Sequence, residues 1–456
     1  MNEVSKTRDD VNDASPHQSS EKIQPLAQCP HVVIVGAGFG GLAAAQQLAQ
    51  VAVRVTVLDQ YNYHLFQPLL YQVATAGLSP ANIAWPVRYI LKRQKNARII
   101  MARVTGMNLA TKSLILKNHA DIPYDYLVLA TGARHSYFGR DEWAKYAPGI
   151  KTVADATMLR QKILLAFEKA EMEEDAEERK RLLTFIIIGG GPTGVEMAGA
   201  IAELARHSIV HDFQSIVPAS ARIILIEAGT RILASFHEKL SCHAKKALEK
   251  SGVEVMTNVR VEHLDQNGIL TRDHKIESRN VIWAAGVKAS DAGKWLGVGT
   301  DHNGRVLVNQ SLNIASEDPL YKDIFVIGDT AAYVPQGKQY PLPGVAPVAK
   351  QMGCYAARTI TARIRGEKGD QPFVYKDMGS MAMIGRNHAV ADFKIAYCKK
   401  RMRMSGFFGW WIWSIAHVYF LIGLRNRFAV AMNWLWQYIT RQRGARLITA
   451  EDQSRL

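Results

Sequence analysis

Two glycine fingerprints, each set between a buried strand and a helix, constrain this chain more than any other feature. The first, Gly36-x-Gly38-x-x-Gly41, follows the apolar run Val32-Val33-Ile34-Val35 and opens a helix of small residues over 42–49. A second strand, over 53–58, ends at Asp59, eighteen residues after the last glycine. The same order returns 153 residues later: a strand at 185–188, then Gly189-x-Gly191-x-x-Gly194, a helix through Leu204, and a strand at 222–226 ending at Glu227. Glycines let the main chain turn tightly against a pyrophosphate, which then sits on the free N–H groups of the helix start. The closing acid suits the ribose hydroxyls. Both units read as dinucleotide sites.

The second acid lies 33 residues after its last glycine, a long interval whose excess is expected in an extended helix and loop over 207–220. An acid here repels a 2′-phosphate and favours NADH over NADPH, although Arg231 stands four residues on. Further strands at 126–129, 280–283 and 324–327 run into Ala130-Thr131-Gly132, Ala284-Ala285-Gly286 and Gly328-Asp329. Strands alternating with helices predict an α/β fold with parallel sheets. The acid- and base-dense stretch 159–181 is expected as a solvated helix leading into the second unit. Two nucleotide sites in one chain suggest hydride exchange between a nicotinamide and a flavin.

Charge matters only once it is located. The chain has 456 residues and a net charge of +15, yet residues 393–450 hold ten Lys/Arg and no acid, leaving +5 for the rest. The same tail carries five of the nine Trp. Phe407 to Leu424 is an uncharged aromatic run, short for a span, which takes about 20 apolar residues; a second aromatic stretch covers 428–439. Bases flanking aromatic helices suit the plane of an anionic bilayer. A span and a soluble dimer core are the other readings, and His417 reads as a packed or interfacial histidine. Residues 1–30 are polar, with five acids against three bases, and are expected to be a disordered leader without a secretory or mitochondrial address. Four scattered Cys (29, 242, 354 and 398) give neither a disulfide framework nor metal-ligand spacing.

The glycine units and Gly328-Asp329 resemble the two-dinucleotide-binding-domain flavoproteins. In that family the first fingerprint and the Gly-Asp pair hold FAD, and the second, inserted unit holds the nicotinamide. Disulfide reductases of the fold carry cysteines soon after the first fingerprint, and this chain has none between Cys29 and Cys242. Longer stretches narrow the choice: residues 63–75 (Tyr-His-Leu-Phe-Gln-Pro-Leu-Leu-Tyr-Gln-Val-Ala-Thr), 191–196, 346–351, 379–386 and 423–427 resemble the type II NADH:quinone oxidoreductases.

That resemblance implies an FAD domain over 31–150 and 301–372, an NADH domain over 151–300, and a quinone and membrane region over 373–456. The cofactor residues it implies are Gly36, Gly38, Phe39, Gly41, Asp59, Gln72, Ala130, Thr131, Gly132, Gly328, Asp329 and Ala346 on the flavin side. On the nicotinamide side they are Gly189, Gly191, Pro192, Thr193, Gly194, Glu227, Ala285 and Gly286. Where the family pattern is Ala-Gln-x-Ala-x-Gln, this chain has Pro347 for the first Gln, so Gln351 is the polar contact left for a quinone carbonyl. Lys376 is a candidate to stabilise its reduced charge. Pro347 suits the first turn of a helix over 346–363. Glu196 has two readings: with Thr193 it forms a capping-box pattern, and the resemblance makes it a flavin-side carboxylate that relays protons or positions substrate.

The activity implied is electron transfer from NADH by way of FAD to a membrane quinone, without proton pumping, by a homodimer on the cytoplasmic face of a bacterial inner membrane. Two other classes stay open. One is a soluble NAD(P)H:acceptor reductase. The other is a flavin-bearing, NAD(P)H-responsive signalling or nucleic-acid-binding protein, against which the aromatic tail weighs, so no nucleic-acid partner is expected.

Overall fold

Both fingerprint strands, His31–Val35 and Thr184–Ile188, are buried along their whole length. Unbroken apolar runs of this kind belong at the centre of parallel sheets covered on both faces. The computed structural model describes residues 26–367, 370–394 and 401–449; residues 1–25 of the expected leader, together with Cys398, Lys399 and Lys400, lie outside the described residues.

His31–Val35 sits in a five-stranded parallel sheet, in spatial order Ile324–Val326, Tyr126–Leu129, His31–Val35, Arg54–Asp59 and Ala97–Met101. Thr184–Ile188 sits in a four-stranded parallel sheet, ordered Val253–Thr257, Arg222–Glu227, Thr184–Ile188 and Asn280–Trp283. The chain leaves the first sheet after Tyr126–Leu129, builds the second, and returns with Ile324–Val326. An antiparallel pair, Ala133–His135 with Val287–Ala289, ties the outgoing and returning segments together.

The stretch expected to be one solvated helix is two helices, Val153–Met172 and Ala176–Leu182. The first is half buried, because Leu159, Ile163, Phe167 and Ala170 line one face and pack on the core of the second unit. Its charges lie mainly outside that face, although Arg160 is buried as well. The long interval before Glu227 resolves as expected: the helix Pro192–Glu203 runs on through one wider turn, Leu204–Ser208, into a loop before Arg222. The Glu171 carboxylate holds that loop through the N–H groups of Gln214, Ser215 and Ile216.

After the helix Ala346–Ile364 come three antiparallel strands, Ser380–Gly385, His388–Lys394 and Arg401–Ser405, and two helices, Gly406–Phe420 and Leu424–Thr440. Close main-chain contacts hold this region to the body. A Cβ on Gly199 would stand 2.2 Å from the Ile384 carbonyl oxygen, so only glycine lets the strand Ser380–Gly385 lie on the second fingerprint helix. The aromatic run breaks at residues 421–423. Its two helices have 15 and 17 residues, about 22 and 26 Å at 1.5 Å per residue, against a hydrocarbon core of about 30 Å. Among the described residues no helix is long and apolar enough to cross a membrane.

Candidate functional site

The two fingerprints fold as geometric twins. In each, the first glycine takes a positive φ, +103° at Gly36 and +112° at Gly189. A Cβ there would strike the turn after a neighbouring strand, at Ala130 or at Ala285. The last glycine packs helix on strand so tightly that a Cβ on Gly41 or Gly194 would lie 1.8 Å from the carbonyl oxygen of Gly36 or Gly189. The middle glycines, Gly38 and Gly191, cap their helices and face open space. That vacant approach to a helix N-terminus fits a pyrophosphate.

The two acids also match. Asp59 accepts the N–H groups of Ala37 at 2.6 Å and Tyr61 at 2.7 Å. Glu227 accepts those of Gly190 at 2.6 Å and Gly229 at 2.6 Å. Each carboxylate thus clamps its own glycine turn as well as standing at the end of the strand where a ribose would lie. Burial pushes the Asp59 carboxyl up, and its two amide bonds oppose that. Arg231 is turned away from such a site, its guanidinium donating to the carbonyls of Phe236 and Ala234.

One continuous cavity of about 1670 Å³ joins these parts. Its wall takes in Gly38, Phe39, Ala130 and Gly132 from the first unit, and Pro192, Thr193, Glu196 and Gly286 from the second. Gly328, Asp329 and Ala346 line it as well, then Gln351 and Lys376, and finally Ala416, His417 and Phe420 of the first tail helix. Single-ligand pockets hold about 300–1,000 Å³, so this space accommodates more than one ligand. Gly36, Gly41, Asp59, Thr131, Gly189, Gly194, Ala285 and Glu227 frame the turns behind it. The Thr131 hydroxyl meets those of Ser290 and Thr330. Gln72 lies apart from the other expected cofactor residues. Its carboxamide joins the Tyr71 hydroxyl and accepts from the Trp434 indole at 2.8 Å, anchoring the last helix.

Glu196 is not a helix cap. The helix starts at Pro192 with Gly191 as its cap, and no side chain closes it. The carboxyl instead lines the cavity, half-buried, and accepts one N–H, from Met383 at 3.3 Å. Burial pushes it up to about 8, which that single bond only partly opposes. It also borders a second, small cavity of about 60 Å³ beside Tyr71, Glu203 and Arg443. Pro347 lies in the first turn of Ala346–Ile364, as expected. That helix starts beside Gly328, whose N–H reaches the Met352 sulfur at 3.2 Å.

The comparisons with known proteins agree with this geometry. Residues 30–353 match the pyridine nucleotide-disulphide oxidoreductase family, and residues 378–442 match the NDH2 C-terminal domain. The chain is 42% identical over 450 residues to the type II NADH:quinone oxidoreductase Ndh of Mycobacterium tuberculosis, covering 95% of this chain and 94% of that one. The chain belongs to the type II NADH:quinone oxidoreductase family. It is also 29% identical to an Arabidopsis thaliana internal alternative NAD(P)H-ubiquinone oxidoreductase, covering 95% and 89% of the two chains. Among solved structures, NDH2 from Plasmodium falciparum in complex with NADH shares the fold, with a TM-score of 0.83 at 21% identity over 93% of this chain and all of that one.

Several cavity residues of this family member escaped the sequence reading. Lys151 is lowered by burial while the Asp329 carboxylate opposes the shift. His64 places Nδ1 2.9 Å from the Ala37 carbonyl, and among the described residues its buried Nε2 has no partner. His64 lies within the stretch 63–75, yet nothing in one sequence says which way a ring points. The Met383 N–H carried no signal at all, because a main-chain donor leaves no trace in residue type.

Proposed function

We propose that this protein is a membrane-surface, FAD-dependent enzyme that passes two electrons from NADH to a quinone and moves no protons across the membrane. The observation that carries the reading is the single cavity shared by both dinucleotide turns and the aromatic tail helix. The relative's name, NADH:quinone oxidoreductase, states the same donor and acceptor.

Residues 31–150 and 301–372 would hold FAD, with Gly38, Gly132 and Gly328 leaving room for it and Asp59 and Asp329 facing its sugar hydroxyls. Residues 151–300 would hold NADH, with Glu227 on the adenosine ribose. When bound, the flavin supplies a two-electron relay between nicotinamide and quinone. The chain's own part is to bind, orient and protonate. Lys376 and the start of the helix Ala346–Ile364 bring positive charge to one side of the cavity, suited to a developing anion. The Glu196 carboxyl, neutral below about pH 8, holds a proton at Oε against the same space.

The tail supports attachment to a bilayer without spanning it. Its helices expose Phe408 (69%), Leu424 (80%), Phe428 (70%) and Ile439 (69%), apolar area of the kind that marks a membrane or partner surface. The cytoplasmic face of a bacterial inner membrane and a homodimer complete the proposal. The test is anaerobic: NADH bleaches the flavin, and a water-soluble quinone then restores its colour. A flavin that NADH fails to bleach, or that the quinone fails to reoxidise, overturns the reading.

A further inference from the structure

His417 stands where the aromatic tail meets the cavity. Its imidazole stacks on Trp413, with centroids 4.0 Å apart and planes at 23°, and meets Phe66 edge-on at 6.1 Å. Nδ1 lies 2.7 Å from the Trp413 carbonyl oxygen. A carbonyl only accepts, so Nδ1 carries the proton, and Nε2 of the neutral ring is left as a bare acceptor. The ring lines the cavity, and among the described residues Nε2 has no hydrogen-bond partner. Trp413 itself is buried, so the bond to its carbonyl and the stack on its ring fix the imidazole from two directions.

An acceptor in that position discriminates between two oxidation states. A quinone presents carbonyl oxygens, which are acceptors and gain nothing from Nε2. The quinol presents O–H groups, which donate. We infer that His417 Nε2 accepts a hydroxyl hydrogen of the quinol, so that this residue recognises the reduced product over the oxidised substrate. The inference rests on the proposed NADH:quinone activity and adds a specificity residue to it. Burial supports it, holding the imidazole down to about 4 and hence neutral throughout the physiological range.

The experiment measures inhibition of NADH:quinone turnover by a short-chain quinol and by its dimethyl ether, which has the same shape without the donors. For the unmodified holoenzyme the quinol is expected to inhibit at about 3–10-fold lower concentration than the ether, the range of one ordinary hydrogen bond. His417→Phe keeps a ring against Trp413 and Phe66 but removes the acceptor. It should bring the quinol-to-ether ratio down by that factor while the KM for the quinone moves less than about twofold. His417→Gln returns a carbonyl oxygen near Nε2 and should restore much of the ratio. A wild-type ratio preserved in His417→Phe overturns the inference, as does a quinone KM that rises in step with the quinol inhibition constant. Should His417→Phe fail to retain flavin, equal inhibition of the unmodified enzyme by quinol and ether overturns it as well. Absence of NADH:quinone turnover in the unmodified enzyme is a separate outcome and sinks the proposed activity instead.

Discussion

Gln351 and Lys376 are joined through the main chain of one and the side chain of the other. The Gln351 Nε2 donates to the Lys376 carbonyl at 2.9 Å, and the Lys376 N–H donates to Gln351 Oε1 at 3.0 Å. The carboxamide first expected to meet a quinone directly therefore fixes the segment that carries Lys376, with one N–H left over. Losing both bonds frees that segment. Gln351→Leu is expected to raise the quinone KM about 3–10-fold, within what two lost hydrogen bonds of about 0.5–1.5 kcal/mol each allow, while NADH bleaches the flavin at an unchanged rate. Stopped-flow measurement of the two half-reactions separates these effects; slowing of the NADH half alone would count against the assignment.

Glu196 carries a pH signature. Its carboxyl is raised from the usual carboxylate range to about 8 in the folded chain, so the folded state keeps a proton that the unfolded state gives up. Stability from this group is full below about pH 4.5 and is lost as pH rises to about 8, because over that window the unfolded state binds fewer protons. The melting temperature of the wild type should fall across it, and that of Glu196→Gln should fall less. The same substitution should remove a limb near pH 8 from the quinone kcat/KM profile. Matching profiles for the two proteins would exclude a titrating role.

Glu227 is expected to govern the nicotinamide site through the two amides it holds. Bonds to a charged acceptor contribute about 1.5–3 kcal/mol. Glu227→Ala should therefore raise the NADH KM about tenfold or more, with the NADPH KM rising less because the repelling charge has gone. A KM ratio that stays at the wild-type value would place the selectivity elsewhere.

What could be read from residue order alone was what backbone geometry dictates. The glycines of both fingerprints, the strands before them and Pro347 in its helix start all answer demands that few residue types meet. Pairings across long separations were hidden. Glu196 meets the main chain of Met383, 187 positions away, and no spacing rule distinguishes that from a cap. The charge density of 159–181 masked the apolar face of Leu159, Ile163 and Phe167. The basic tail likewise looked unpaired, yet Arg401 meets Asp377 and Asp392, Arg443 meets Glu203, and Arg446 meets Asp212.

Those ion pairs bear on how the tail would hold a bilayer under the proposed attachment. With Arg401, Arg443 and Arg446 turned to acids of the chain itself, less of the tail's charge is left for anionic lipid than its count suggests. Under the proposed bilayer attachment, the exposed apolar side chains would then supply most of the binding. Full burial of a Phe or Leu is worth about 1.5–3 kcal/mol, and Phe408, Leu424 and Phe428 are all largely exposed. Replacing these three by Glu should abolish flotation with liposomes, while the soluble variant still bleaches its flavin with NADH. Flotation of the wild type should survive high salt, which screens lipid charge and leaves the apolar contacts in place. Release by salt, with the triple variant still floating, would assign the attachment to charge.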